Sequence, residues 1–201
     1  FSNYDYSKKI NIIKNNFEYF FDDDKLDYDI IVFFAGLVGD PITKKYPILS
    51  NHINHKSITA VLKKIIDLKF EKFIFISTCS NYGLLQEGIL ADEETPLSPL
   101  SLYAESKVKI ETELLNNDYK NFNTTILRFA TAFGLSKRMR FDLTVNQFTY
   151  ESIKNKNLEV YDADTWRPYC HVLDFASVIH HVINSPKKNI HNQIYNVGLN
   201  K

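Results

Sequence analysis

"KFIFIST", residues 72–78, is the stretch of sequence that decides the fold. Its apolar, β-branched and aromatic residues predict a strand that is buried on both faces of a sheet. The strand is followed by a loop of glycine, proline and acidic residues over 79–101, and a loop of that length in a compact domain is usually functional. Ser101 is placed to cap a helix over 102–116. Strand, long loop and helix in this order are typical of an α/β protein.

The rest of the chain continues the same alternation. Further strands are predicted at "DIIVFF" (29–34), "TTILRFA" (124–130), "LEVY" (158–161) and "QIYNVG" (193–198). Further helices are predicted over 51–69, 141–155 and 174–185, the last capped by Asp174. We therefore expect a parallel sheet, in which ligands bind beyond the carboxyl ends of the strands.

Composition and charge exclude several classes of function. The 201 residues are 44% hydrophobic and carry a formal net charge of zero, which gives no electrostatic reason to expect nucleic acid or an anionic membrane as a partner. No apolar run approaches the roughly 18 residues of a membrane span. The first residues, which begin with Phe rather than Met, carry no signal-peptide pattern. Two cysteines without a CxxC pair and six scattered histidines predict free thiols, no metal and a cytoplasmic location.

One Tyr–Lys pair is distinguished by its position. Tyr103 and Lys107, in "SLYAESK" (101–107), are four residues apart and can share one helix face. With 12 tyrosines in the chain, chance alone predicts about one such spacing. The other pairs at this spacing are Tyr4/Lys8 and Tyr150/Lys154. Tyr103 is favoured because it opens the helix that follows a central strand and its long loop.

The chemistry of this pair suits removal of a proton from an alcohol. A tyrosine hydroxyl has a pKa of about 10, and a neighbouring ammonium favours the phenolate, so we expect Lys107 to lower the pKa of Tyr103. The hydroxyl of Thr78 can bind the same substrate oxygen. If the alcohol carbon loses hydride in the same step, a nicotinamide cofactor is the usual acceptor.

Five stretches occur in the order and at the spacing of a known family. They are "FFAGLVGDP" (33–41), "FISTCSNYG" (75–83), "SLYAESK" (101–107), "ILRFATAFG" (126–134) and "WRPYCHVLD" (166–174). As an ordered set they resemble the extended short-chain dehydrogenases/reductases, and among these the NAD-dependent nucleotide-sugar epimerase/dehydratase group. The resemblance implies a Rossmann-like, doubly wound parallel sheet. It also implies a partial NAD-binding region over 1–135 and a mixed substrate-binding region over 136–201, in one compact unit.

The resemblance implies roles for single residues as well. Thr78, Tyr103 and Lys107 would be the catalytic residues, with Tyr103 as the base. The cofactor, NAD or alternatively NADP, would be bound by Ala35, Gly36, Leu37, Asn54, Ser77, Tyr103, Lys107 and Ala130. Asn54 would support Lys107 through a water or backbone relay. The nucleotide-sugar substrate would be bound by Cys79, Ser80, Thr131, Arg138, Arg140 and Arg167, of which Arg167 would clamp the diphosphate. A homodimer is common in the family and is expected here.

Two departures from the family bear on the activity. The six glycines, at 36, 39, 83, 88, 134 and 198, form no G-x-x-G-x-x-G turn for the cofactor pyrophosphate, so we expect a chain that lacks the first βαβ unit and is truncated at both ends. Cys79 and Ser80 stand where the 4,6-dehydratases of the family usually carry Asp and Glu, which argues against elimination of water.

The expected reaction is therefore hydride transfer at the sugar C4, most simply in an epimerase. A nucleotide-sugar 4-dehydrogenase or reductase is an alternative, and a non-catalytic binding or regulatory module is an alternative of another class. The sequence allows two interpretations of Arg128: it is a residue of the ligand-binding rim, or it is a structural arginine that pairs with a carboxylate.

Overall fold

A computed structural model describes residues 10–22, 28–117, 119–160 and 163–199. The strands among them are β1 (Ile30–Phe33), β2 (Lys72–Thr78), β3 (Asn123–Phe129), β4 (Thr131–Phe133), β5 (Tyr169–His171) and β6 (Gln193–Val197). The main sheet has the order β1-β2-β3-β6 and all its pairs are parallel. This confirms the predicted α/β fold, and these four strands end within one residue of their predicted bounds.

Helices alternate with the strands along the chain. They are α1 (Phe17–Phe20), α2 (Asp40–Lys45), α3 (Pro47–Asn51), a π-helical turn (His52–Lys56), α4 (Ser57–Ile65), a 3₁₀ turn (Cys79–Tyr82), α5 (Leu102–Asn116), α6 (Thr144–Asn155), α7 (Val172–Asn184) and α8 (Lys187–Ile190). The helix α5 has its predicted bounds. Ser101 caps it, because its Oγ accepts a hydrogen bond from the Ala104 N–H at 3.3 Å.

The main sheet is buried on both faces. Phe73 and Phe75 of β2 join a core that includes Leu62 of α4 and Leu114 of α5. Between them in sequence, Ile74 points the other way and joins a second core that contains residues of α7 and α8. The sheet is therefore doubly wound, as predicted, and the carboxyl-end rim of its strands is where a ligand site is expected.

The predicted helix over 51–69 is replaced by three consecutive segments. The helical run begins earlier, at Pro47, passes through the π-helical turn and ends at Ile65. A π-helical turn inserts an extra residue and so changes the direction of the side chains around it. The buried Asn54 lies in this turn. Apolar periodicity cannot predict the inserted residue, because the apolar positions of α4 keep their helical spacing.

Two local predictions are wrong. Residues 158–160 of the predicted strand "LEVY" are not in a strand, and the exposure of Leu158 and Val160 removes the burial that favours one. The fourth residue of that stretch, Tyr161, lies outside the described residues. Asp174 does not cap α7, because the helix begins two residues earlier and the His171 side chain accepts a hydrogen bond from the Leu173 N–H at 3.3 Å.

A second, two-stranded sheet joins β4 to β5 in parallel, with Thr131 opposite Tyr169. This pair was not predicted from the sequence, since three-residue strands carry too little pattern to detect. The division into regions 1–135 and 136–201 stays a prediction.

Candidate active site

The ends of three strands meet at one rim of the sheet. Phe33 pairs with Phe75 and Thr78 pairs with Phe129, so the residues that follow β1, β2 and β3 lie side by side. The helix α5 is attached at the same rim, because Lys107 Nζ donates a hydrogen bond to the Ile76 carbonyl of β2 at 2.7 Å. The structure thus brings Thr78 and the Tyr103–Lys107 helix to one edge.

One buried side chain holds the loop after β1. Asn54 Oδ1 accepts a hydrogen bond from the Leu37 N–H at 2.6 Å, and Asn54 Nδ2 donates to the Leu37 carbonyl at 2.9 Å. A Cβ added at Gly36 would lie 3.1 Å from Asn54 Oδ1, so glycine lets the two approach this closely. The backbone of Ala35, Gly36 and Leu37 is therefore fixed at the rim. The predicted relay from Asn54 to Lys107 stays a prediction.

Thr78 is the last residue of β2 and caps the 3₁₀ turn. Its Oγ1 accepts a hydrogen bond from the Ser80 N–H at 3.2 Å, and the residue is 8% exposed. That bond uses an acceptor position of the hydroxyl, which also has a proton to donate. Thr78 can therefore donate to a ligand oxygen at the rim.

Lys107 lies beside Tyr103 without a bond to its hydroxyl. The distance from Lys107 Nζ to the centroid of the Tyr103 ring is 5.9 Å, and Nζ donates its hydrogen bond to the backbone of β2. By contrast, the exposed Lys154 donates to the Tyr150 hydroxyl at 2.7 Å. The third pair, Tyr4/Lys8, lies outside the described residues. Position at the rim, and not a direct Tyr–Lys bond, distinguishes the site pair.

The Tyr103 hydroxyl is a weaker acid than the sequence predicts. Burial raises its pKa to about 12, the charges of Asp40 and Cys79 raise it as well, and the charge of Arg140 lowers it. The prediction that Lys107 brings the pKa below its ordinary value is wrong for this chain, because removing the phenolate from water outweighs the attraction of nearby cations. Asp40, which follows Gly39 in "FFAGLVGDP", was missed by the sequence analysis.

Lys107 has the opposite shift. The residue is 4% exposed, burial lowers its pKa to about 8, and the charge of Glu111 raises it. The side chain is therefore mostly an ammonium at neutral pH, although burial weakens it as a cation.

Two predicted substrate residues follow Thr78 directly. Cys79 is half-buried, and burial raises its pKa to about 11 while the charge of Arg167 lowers it. The thiol therefore stays protonated at neutral pH, which makes a thiolate nucleophile a poor interpretation. Ser80 is exposed in the 3₁₀ turn.

Ala130 and Thr131 lie where β3 passes into β4. The Ala130 N–H donates to the Val197 carbonyl at 2.8 Å, and the Thr131 N–H donates to the Pro168 carbonyl at 3.0 Å. The second bond places Thr131 next to the segment that carries Arg167. Arg167 is exposed, and its charge lowers the pKa of Cys79.

Arg140 lies beside the loop after β1. Its guanidinium forms a two-bond pair with Asp142, with Nη2 donating to Oδ2 at 2.6 Å, and a Cβ added at Gly39 would lie 3.5 Å from Nη2. Its charge also acts on Tyr103. Arg138 is exposed, and its carbonyl accepts a hydrogen bond from Ser136 Oγ within the same loop. Arg140 thus lies at the rim, whereas the contacts of Arg138 do not connect it to the rim.

Arg128 is buried and pairs with a carboxylate. Its Nη2 donates to Glu111 Oε2 at 2.7 Å, and the side chains of both residues are at most 3% exposed. Its Nη1 donates to the Tyr82 hydroxyl at 2.7 Å, which in turn donates to Asn196 Oδ1. Of the two interpretations of Arg128, the structure favours the structural one.

The same buried cluster includes Ser77 and Asn81. Both donate to Glu111 Oε1, Asn81 at 2.7 Å. The Ser77 side chain therefore faces Glu111, so any contact of Ser77 with a cofactor would use its backbone. Glu111 was not predicted from the sequence, although a glutamate between the apolar Ile110 and Leu114 on the helix of Lys107 was an available signal.

The cluster also anchors the long loop. The Asn196 N–H donates to Glu93 Oε1 at 2.6 Å, and Arg128 Nη1 donates to the Glu93 carbonyl at 3.4 Å. Tyr82 therefore connects Arg128 with Asn196 and helps to hold the long loop.

Within the described ranges, no group of three or more His, Cys, Asp or Glu side chains is arranged to hold a metal ion. Over the same part of the chain, no helix has the length and apolar character needed to cross a bilayer.

Comparison with known proteins agrees with this geometry. The model of the NAD dependent epimerase/dehydratase family matches residues 11–198. The low-salt glycan biosynthesis protein Agl12 of Haloferax volcanii is 26% identical over 183 residues, which are 88% of this chain and 56% of that protein. A UDP-glucose 4-epimerase of Rhizobium leguminosarum bv. trifolii is 25% identical over 162 residues, which are 73% of this chain and 49% of that protein. The chain thus spans about half the length of these relatives.

A solved structure gives the same fold. The UDP-glucuronic acid 4-epimerase of Bacillus cereus, in complex with UDP-glucuronic acid and NAD, superimposes with a TM-score of 0.73. The two are 24% identical, and the match covers 86% of this chain and 55% of that one. At this identity the likeness shows the fold alone.

Proposed function

The chain belongs to the NAD dependent epimerase/dehydratase family, and on that premise we propose that the complete protein transfers hydride at C4 of a nucleotide-activated sugar. The proposed cofactor is NAD, with NADP as the alternative, and the proposed reaction is epimerisation. The observation that carries the proposal is the meeting of Thr78, Tyr103 and Lys107 at the carboxyl-end rim of the parallel sheet.

Each of these residues has a task that its surroundings support. The phenolate form of Tyr103 takes the proton of the substrate C4 alcohol, and the resulting hydroxyl returns it after the sugar is reduced from the other face. Thr78 donates a hydrogen bond to the same oxygen and so holds it against Tyr103. The ammonium of Lys107, held by the Ile76 carbonyl, places a positive charge 5.9 Å from the centroid of the Tyr103 ring. When bound, the nicotinamide cofactor accepts and returns the hydride, which no side chain can do.

The residues of the chain fit the nicotinamide part of such a cofactor. Asn54 fixes the backbone of the Ala35–Leu37 loop at the rim, and the glycine in that loop permits the close approach of Asn54. Lys107 has ammonium protons beyond the one it gives to Ile76, and these suit the ribose hydroxyls. None of the six glycines forms a G-x-x-G-x-x-G turn, so pyrophosphate binding is assigned to no residue of this chain.

Two residues support epimerisation over dehydration. Cys79 keeps its proton at neutral pH, since burial raises its pKa to about 11, and Ser80 carries an ordinary hydroxyl. Neither is an acid or a base of the strength that elimination of water needs. Hydride transfer alone requires only the three catalytic residues, which also leaves a 4-dehydrogenase or reductase as the second candidate.

Cations on the substrate side suit a diphosphate. Arg167 is exposed, and its charge lowers the pKa of Cys79. The charge of Arg140 lowers the pKa of Tyr103. We therefore assign the diphosphate to Arg167 with help from Arg140, while a role for Arg138 is an expectation of the resemblance alone. The homodimer and the cytoplasmic location likewise stay expectations.

A screen of nucleotide sugars with the complete protein and NAD tests this function. Product stereochemistry is read by NMR, and NADH is followed by its absorbance. Inversion at C4 without net NADH supports the epimerase, whereas net NADH indicates a dehydrogenase. Binding of both ligands without turnover would contradict the proposal and favour the non-catalytic binding module.

A further inference from the structure

Glu111 is a fully buried carboxylate in the middle of α5. The residue is 1% exposed, and glutamate is rarely buried to this extent unless its charge is paired. Arg128 supplies the pairing charge, with Nη2 at 2.7 Å and Nε at 3.1 Å from Oε2. Arg128 alone would satisfy the charge, so the other bonds of Glu111 need a separate explanation.

The remaining bonds of Glu111 lie on both sides of Thr78. Its Oε1 accepts from the Ser77 hydroxyl and from Asn81 Nδ2, the latter at 2.7 Å. Ser77 directly precedes Thr78 in β2, and Asn81 lies in the 3₁₀ turn that Thr78 caps. A single carboxylate on the helix of Tyr103 and Lys107 therefore binds the strand end that carries Thr78.

Glu111 also lies one helical turn from Lys107. The β2 strand faces the ammonium of Lys107 with the Ile76 carbonyl and with the ring of Phe75, whose centroid is 4.5 Å from Nζ. Neither carries a charge, whereas Glu111 raises the pKa of Lys107 against the lowering by burial.

The other charged and titratable groups of the site interact with residues other than Lys107. Arg128, on β3, faces Glu111 itself. The charges of Asp40 and Cys79 raise the pKa of Tyr103, and the charge of Arg140 lowers it. Among the described residues, the charge that opposes the effect of burial on Lys107 is thus the charge of Glu111.

We propose that Glu111 is a positioning residue of this site, which fixes the helix of Tyr103 and Lys107 against the strand end of Thr78 and holds a negative charge one turn from Lys107. Its effect on turnover rests on the proposed function, because it acts through residues assigned to hydride transfer. Its effect on the charge of Lys107 does not need that function.

The variant Glu111→Gln tests the proposal, because it keeps the size of the side chain and removes the charge. Lys107 is titrated by NMR of its ¹³C-labelled side chain, with the signal assigned by its loss in Lys107→Arg. We expect the pKa of Lys107 to fall below the value of about 8 in the parent protein. The limb of the kcat profile that reports Lys107 should shift to lower pH, since Lys107 then loses its proton at a lower pH.

Glu113→Gln is the matched control. Glu113 lies on the same helix and accepts a hydrogen bond from Thr59 Oγ1 at 2.7 Å. It takes no part in the Glu111 cluster, in which Ser77, Asn81 and Arg128 bind Glu111. Its variant should leave the titration of Lys107 unchanged. An unchanged pKa of Lys107 in Glu111→Gln would overturn the role of the charge.

Ser77→Ala tests the positioning role separately, also in the event that Glu111→Gln does not fold. It removes one bond to Oε1 and leaves the pair with Arg128 in place. We expect kcat to fall on the order of tenfold, with the titration of Lys107 unchanged. A wild-type kcat in Ser77→Ala would overturn the positioning role.

The two readouts separate this proposal from the proposed function. An inactive protein whose Lys107 pKa falls in Glu111→Gln rejects hydride transfer but supports the charge role of Glu111. An active protein whose Lys107 titrates alike in both forms rejects that role of Glu111 alone.

Discussion

Tyr103 would exchange the substrate proton, and the charges around it set the pH range in which it can act. Burial and the charge of Asp40 raise its pKa, and the charge of Arg140 lowers it. The sequence predicted a cationic effect from Lys107, whereas the cation that lowers this pKa is Arg140. The larger effect, burial, was not predicted, because a helix position next to a loop does not reveal how much water reaches the side chain.

Substitution of the two charges near Tyr103 should move its pKa in opposite directions. Asp40→Asn removes a negative charge, which lowers the pKa of Tyr103 and moves the limb of the kcat/KM profile that reports Tyr103 to lower pH. Arg140→Gln removes a positive charge and should move the same limb to higher pH. The exposed Lys137, in the loop of Arg140, provides the control variant Lys137→Gln. Shifts of both variants in one direction would contradict the assignment of Tyr103 as the base.

Arg167 offers a second test at the scale of a single residue. If its guanidinium binds the substrate diphosphate equally in the ground and transition states, Arg167→Ala should raise KM much more than it lowers kcat. Steady-state kinetics of the complete protein with its nucleotide sugar provide the measurement. An unchanged KM would remove this residue from the substrate site.

At the scale of elements, the four strands of the main sheet and the helix α5 could be predicted, but the π-helical turn could not. β2 and α5 have the predicted bounds, because a continuous apolar run and a serine cap are local signals. The inward direction of Asn54 depends on an inserted residue in the helix, which leaves no trace in the apolar pattern. The family resemblance, and not periodicity, indicated Asn54 before its bonds to Leu37 were known.

Asn54→Ala should loosen the loop that the π-helical turn holds. The change removes two hydrogen bonds to Leu37 and leaves that N–H and carbonyl without these partners, so unfolding should become easier by about 1–3 kcal/mol. Urea denaturation measures the difference. The exposed Asn51, in the same helical run, is the control, and Asn51→Ala should change stability by less than about 0.5 kcal/mol. Equal losses of stability in the two variants would show that the hydrogen bonds to Leu37 do not contribute to the free energy of unfolding.

At the scale of the whole molecule, the buried cluster around Glu111 connects α5 to four other parts of the chain. It joins α5 to β2 through Ser77, to β3 through Arg128, and to the long loop and β6 through Tyr82, Glu93 and Asn196. These contacts bridge positions far apart in sequence, which is why no local pattern predicted them. Composition and motif order were enough for the fold class and the rim, while the buried polar contacts became known only from the structure.

Loss of Arg128 should therefore destabilise the whole chain. Arg128→Met leaves the carboxylate of Glu111 buried without its cation, and we expect a loss of about 3–5 kcal/mol in the free energy of unfolding. The pair of Lys64 and Asp22 is much more exposed, so Asp22→Asn should cost less than about 1 kcal/mol. Urea denaturation of the three proteins makes the comparison. A similar loss in both variants would argue against the buried cluster as a main support of the fold.

The most direct test of hydride transfer at this rim is Tyr103→Phe in the complete protein. The variant is compared with the parent protein on a nucleotide sugar deuterated at C4, in the presence of NAD. We expect the parent to return a C4-inverted product that keeps its deuterium, and the variant to bind NAD normally while almost all inversion is lost. Turnover by Tyr103→Phe at the rate of the parent protein would contradict the assignment of Tyr103 and, with it, the proposed site.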